Sequence, residues 1–138
     1  MKFETDFFSS YEEAAKIALF IEKFLKEECN IKNEKHLFLL SIAIRELLNN
    51  AVSHGNCFDF QKKVKLKILF ENNILIVQIT DEGKGFELKK DCTEFKEPLR
   101  ERCRGIWLIH ELGFEIEVQK NTVTAKINLL NVKEKEEK

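Results

Sequence analysis

Arg45-Glu46-Leu47-Leu48-Asn49-Asn50-Ala51-Val52-Ser53-His54-Gly55-Asn56 closes a long run of helical periodicity. Leu37, Leu40, Ile44, Leu47, Leu48 and Ala51 fall on one apolar helix face. Asn33 is a candidate cap at its start, and Gly55 suits a left-handed position at its end. Within this helix Glu46, Asn50 and His54 are spaced four and four. A step of four advances about 40° round a helix, so Glu46 and Asn50 share a face and His54 lies beside it. Two readings fit. A polar stripe that also takes in Arg45 and Asn49 needs only water, and for this helix alone it is the better reading. The other is chemical: a carboxylate can orient or deprotonate a hydroxyl, and the neighbouring amide oxygen is a hard ligand suited to Mg²⁺.

On the N-terminal side, Ser9 and Ser10 precede Glu12 and Glu13 by three residues, two overlapping capping boxes. The helix they start has Ala14, Ile17, Ala18, Ile21, Phe24 and Leu25 on one face. On the C-terminal side the period changes. Val64, Leu66, Ile68 and Phe70 alternate with Lys65, Lys67 and Leu69, Asn72-Asn73 can turn the chain, and Ile74 to Thr80 return. Residues 62–80 therefore read as an antiparallel hairpin. A third helix fits Gly105 to Leu112, ended by Gly113, and Phe114 to Gln119 with Val123 to Leu129 form a second hairpin around Lys120-Asn121. Helices and antiparallel pairs in this order predict an α+β two-layer domain over residues 1–130, with residues 131–138 as a charged tail.

Two further constellations stand out. Asp81-Glu82-Gly83-Lys84-Gly85-Phe86 follows a strand directly. Its glycines let the backbone turn tightly and approach a ligand, and the acceptor-only carboxylate of Asp81 is suited to read an amino group. The bland alternative is a plain Asp/Gly loop. Arg102-Cys103-Arg104-Gly105-Ile106-Trp107-Leu108-Ile109 places a basic, glycine-containing stretch at a helix start, where N–H groups and the helix dipole favour phosphate. Ile106, Leu108 and Ile109 are also plain core residues, and Trp107 suits packing as well as recognition.

Composition narrows the classes. The chain has 138 residues, 23 Lys+Arg against 24 Asp+Glu and a net charge of −1, which is not the signature of a dedicated nucleic-acid binder. One proline and five glycines exclude low-complexity classes. No apolar run is long enough to span a bilayer, and the acidic N-terminal stretch does not read as a secretory signal, so a cytoplasmic location is expected. The four cysteines contain no Cys-x-x-Cys pair. His54 and Cys57 would be half of a zinc site without a second half, so the thiols read as reduced and structural.

Together, in this order, the stretches resemble the GHKL ATPase superfamily: residues 45–56 its N-box, 81–86 its first glycine box, 103–109 its second, and Thr122 to Asn128 its closing strand. The His-Gly end of the N-box and the short segment between the glycine boxes most resemble the anti-sigma-factor serine kinase branch. The resemblance implies a Bergerat fold, with helices on one face of a mixed, mostly antiparallel sheet and ATP with Mg²⁺ between helix and lid. It makes Glu46 the catalytic base, Asn50 the Mg²⁺ ligand and Asp81 the adenine reader. Gly83 and Gly85 then shape the adenine end and Gly105 the phosphate end, and His54, Phe86, Arg104, Ile106 and Thr124 join the nucleotide pocket.

The same resemblance implies a protein that phosphorylates a serine on a small antagonist protein, binds a sigma factor competitively and forms a homodimer. A nucleotide-binding module that only sequesters a partner is the alternative. The detached catalytic domain of a histidine kinase is a third reading, less favoured because no phosphoacceptor helix is evident. Cys103 departs from the pattern: the superfamily usually has glycine there, and a Cβ disfavours a left-handed backbone.

Overall fold

The computed structural model describes residues 1–85 and 101–131, with the backbone alone at 101–104 and 131. Phe86, the rest of the 86–100 stretch and the 132–138 tail lie outside the described residues, as do the side chains of Cys103 and Arg104.

Strand β1 (Lys2–Phe8) leads into helix α1 (Tyr11–Glu27) and helix α2 (Glu34–Asn50), which ends in a π-helical turn (Ala51–Gly55). A hairpin follows, β2 (Lys63–Glu71) and β3 (Ile74–Thr80). Helix α3 (Glu101–Glu111) precedes the second hairpin, β4 (Glu115–Gln119) and β5 (Thr122–Asn128). The sheet order is β1-β2-β3-β5-β4. Every pairing is antiparallel, so the expected mixed sheet is here wholly antiparallel among the described residues.

Local chemistry accounts for most of these boundaries. Ser10 caps α1, its side chain accepting from the Glu13 N–H at 3.1 Å. Asn33 caps α2 by accepting from the N–H groups of Lys35 and His36. Asn72 and Asn73 have φ of 52° and 63°, the pair of left-handed residues that a tight hairpin turn demands. Gly113, with φ of 107°, stops α3.

Three expectations change. β1 was not foreseen, although Phe3, Thr5 and Phe7 alternate. Helix α3 begins at Glu101 rather than Gly105, so Cys103 lies in helical backbone, which any L-residue can hold. Gly55 is not left-handed; Cys57 and Phe58, at φ of 50° and 59°, make that turn instead.

The sheet has one apolar face. Val64, Leu66 and Ile68 on β2 stand opposite Phe7, Ile79 and Val77 respectively, and Val77 pairs on with Ala125. All are buried against Ala14, Ala18, Ile21 and Leu25 of α1 and Leu40, Ile44, Leu47 and Leu48 of α2, in one contiguous core. Full burial of each large apolar side chain is worth about 1.5–3 kcal/mol. The other face carries Glu4, Asp6 and Lys65, which are exposed, and the partly exposed Lys67, which pairs with Glu4 at 3.7 Å. Helices α1 and α2 are also tied outside the core: Arg45 Nη2 lies 2.9 Å from Glu22 Oε1, and Ser41 donates to the same oxygen.

Candidate functional site

The site forms where the end of α2 meets the end of β3. Asn50 is buried, and its Nδ2 has no hydrogen-bond partner among the described residues. A buried donor left unpaired costs about 1–3 kcal/mol, so it marks a place that asks for a ligand or an acceptor. It faces a narrow cavity of about 10 Å³, room for one water, walled by Ala51, Ile79, Asp81, Ile106 and Val123. Asn50, Asp81 and Ile106, drawn from three separate stretches of the sequence, line this one cavity.

Asp81 is buried at the end of β3. Its Oδ1 accepts the Gly83 N–H at 2.8 Å. Its peptide N–H donates to the Asn121 carbonyl at 3.0 Å, and Asn121 Nδ2 donates back to the Asp81 carbonyl at 2.6 Å. Two glycines are needed for this packing. A Cβ on Gly55 would lie 2.0 Å from Asp81 Oδ2, and one on Gly83 would lie 2.2 Å from the Gly55 carbonyl oxygen. Gly85 has φ of 96° and rests against the backbone of Lys120. The first glycine loop is thus pressed onto the π-helical turn with no room for side chains between. Such turns recur at functional sites because they interrupt an otherwise regular helix.

Glu46 lies one turn before Asn50. A Cβ on Gly105 would sit 2.0 Å from Glu46 Oε1, so glycine lets α3 come down onto this carboxylate. Gly105 is an internal helix residue and not the helix start that the sequence had indicated. Ile106, next to it, closes the cavity from the α3 side. His54 is exposed and lines a wider cleft with Gly55, Asn56, Asp81, Gly83 and Lys84, separate from the cavity that Asn50 lines.

Thr124 does not join this group. It follows the inward-facing Val123, so strand alternation puts it on the solvent face, where Gln78 Nε2 reaches its Oγ1 at 3.3 Å. Val123 occupies the cavity wall in its place. Sequence reading singled out neither Asn56 nor Asn121 as a site residue, and Ser9, expected as a cap, does not cap α1: its hydroxyl donates to the Lys62 carbonyl instead. Asn56 is buried and bonds to Ser9, Lys63 and Glu82. Its only sequence signal was its place directly after His54-Gly55.

The residues fit a nucleotide with its cation in a limited sense. The unpaired atom of Asn50 is a donor, Nδ2, which suits an acceptor such as a phosphate oxygen, whereas a cation would take the oxygen of the same side chain. Asp81 supplies an acceptor at a glycine cradle. Among the described residues no group of three or more His, Cys, Asp or Glu side chains could hold a metal. A cation here would need oxygens from its ligand besides Asn50. Among the described residues, no helix is long and apolar enough to cross a membrane.

A family model described as a histidine kinase-like ATPase domain matches residues 7–129. Comparison with curated proteins gives no match. Among solved structures, the blue-light activated histidine kinase of Erythrobacter litoralis EL346 is 24% identical, with a TM-score of 0.53, over 69% of this chain and 31% of that one. The histidine kinase domain from the same protein is 21% identical, with a TM-score of 0.49, over 68% of this chain and 45% of that one. This chain spans less than half of either, and identities this low speak to the fold alone.

Proposed function

The chain belongs to the histidine kinase-like ATPase domain family, and on that premise we propose that it binds ATP with Mg²⁺ and acts as a protein serine kinase of the anti-sigma-factor type. The observation that carries this reading is the meeting of Asp81 and Asn50 at one cavity, with Glu46 a helical turn away. Asp81 would accept a hydrogen bond from the exocyclic amino group of adenine. Asn50 would hold Mg²⁺ through its amide oxygen, and the ion, when bound, neutralises phosphate charge. Glu46 would take the proton of a serine hydroxyl as its oxygen bonds to the γ-phosphorus and the bond to ADP breaks. The cavity shared by Asn50 and Asp81 has room for about one water, and Asp81 also lines the wider cleft of about 380 Å³ with His54 and Gly83.

The finer parts of this reading are a small antagonist protein as serine donor, a sigma factor as competing partner, and a homodimer. They rest on the His54-Gly55 end of the N-box and on the spacing of the glycine stretches. The sequestration-only alternative drew on Cys103, and helical backbone at that position removes the steric objection to cysteine there. The test is phosphotransfer from γ-labelled ATP to candidate antagonist proteins. Label on a serine of one of them supports the kinase; tight ATP binding with no transfer to any favours sequestration.

A further inference from the structure

The peptide group joining Asp81 to Glu82 is held at both ends by asparagine side chains. Its carbonyl accepts from Asn121 Nδ2 at 2.6 Å, and its N–H donates to Asn56 Oδ1 at 2.7 Å. Asn56 is in turn fixed from behind. Its Nδ2 donates to Ser9 Oγ at 2.6 Å and to the Lys63 carbonyl at 3.0 Å. Ser9 spends its own hydroxyl proton on the Lys62 carbonyl at 2.9 Å, so toward Asn56 it acts only as acceptor. This network leaves the Asn56 amide one orientation. Flipped, it would set its NH₂ against the Glu82 N–H and its oxygen against the Lys63 carbonyl. Asn56 is 1% exposed, and the three bonds satisfy its buried amide while holding it in that one orientation.

A peptide plane fixed at both its N–H and its carbonyl fixes ψ of the residue before it, and with it the direction of the Asp81 Cα–Cβ bond, while the Gly83 N–H on Oδ1 sets the rotation of the carboxylate beyond it. We infer that Asn56 and Asn121 are positioning residues that aim the Asp81 carboxylate, and so set discrimination for a purine bearing an exocyclic amino group. This rests on the ATP-binding reading above. Asn56 also couples that aim to the β1–α1 junction through Ser9, residues far from the base in sequence.

The test compares ATP with purine riboside triphosphate, which lacks only the amino group, by calorimetric titration of the parental chain, Asn56→Ala and Asn121→Ala. The parent should prefer ATP. In both variants ATP affinity should fall about tenfold or more, the scale of one charge-assisted hydrogen bond, while affinity for the amino-free nucleotide stays within about twofold. Asn121 is half-buried on a hairpin turn, so its variant answers the question should Asn56→Ala fail to fold. Loss of affinity for both nucleotides in equal measure, or an unchanged preference, overturns the positioning role. A parent that binds neither nucleotide, or both equally, overturns the reading of Asp81 itself and this inference with it.

Discussion

A Cβ placed on Gly55 would lie 2.0 Å from Oδ2 of Asp81. The turn that ends α2 and the loop that leaves β3 are therefore in direct backbone-to-carboxylate contact, and glycine at 55 answers to Asp81 rather than to its own φ. Gly55→Ala should push the carboxylate off its direction. Overpacking of this kind costs about 1–3 kcal/mol. The expected result is weaker ATP binding together with a lower unfolding midpoint, read by titration and thermal melt on the same preparation. Unchanged values of both would mean the contact relaxes without consequence.

Glu46→Gln should keep ATP binding and lose phosphotransfer. A proton acceptor in place typically contributes ~10²–10⁴-fold to rate. The amide is the same shape beside Gly105, so packing of α3 is retained. A Glu46→Gln protein that transfers phosphate at the parental rate would reduce Glu46 to part of a solvated stripe.

Cys103→Gly should leave phosphotransfer where it is. Residue 103 is in helical backbone, and glycine there gains only freedom in the unfolded chain. A loss of a few tenths to about 1 kcal/mol of stability is expected, measurable by denaturant unfolding. A marked rise in transfer rate would show instead that the cysteine obstructs the phosphate end.

Much of this arrangement was legible because its signals are local. The Ser10 and Asn33 caps, the Asn72-Asn73 turn and the alternation from Val64 to Phe70 each involve residues within a few positions of one another. What escaped depends on partners far along the chain. Asn56 reaches 47 residues back to Ser9 and 26 forward to Glu82. Strand β1 is a half-exposed edge whose charged alternate positions masked its period. Whether Val123 or Thr124 faces the cavity is a matter of register parity, and a one-residue shift reverses it. Helix α3 starts four residues before Gly105 because that glycine serves close approach to Glu46 and not helix initiation.

Glu22 should give the protein a dependence on acid. Burial raises the pKa of its carboxyl, but the hydrogen bonds from Ser41 and Arg45 and the guanidinium charge outweigh burial and hold it below the ordinary value of 4.5. A group depressed in the folded state stabilises fully above its unfolded pKa, and that contribution disappears as pH falls through the folded one. The gap in unfolding midpoint between the parent and Glu22→Gln should be constant near neutrality and shrink below about pH 4.5. A gap that persists unchanged into acid would remove Glu22 from the account. Cys29 is a contrasting case: burial pushes its thiol up, in keeping with an inert core position.

The central claim is that Asp81 reads the base of a bound ATP. Asp81→Asn retains an oxygen for the Gly83 N–H but can present NH₂ donors towards an amino group that is itself a donor. Calorimetric titration of ATP with Mg²⁺ into the parent and into Asp81→Asn tests it most directly, with a thermal melt of each alongside. The account predicts binding to the parent, a loss of about ten- to a hundredfold in the variant, the worth of one charge-assisted hydrogen bond, and closely similar melts. Equal ATP affinity in the two proteins would contradict it.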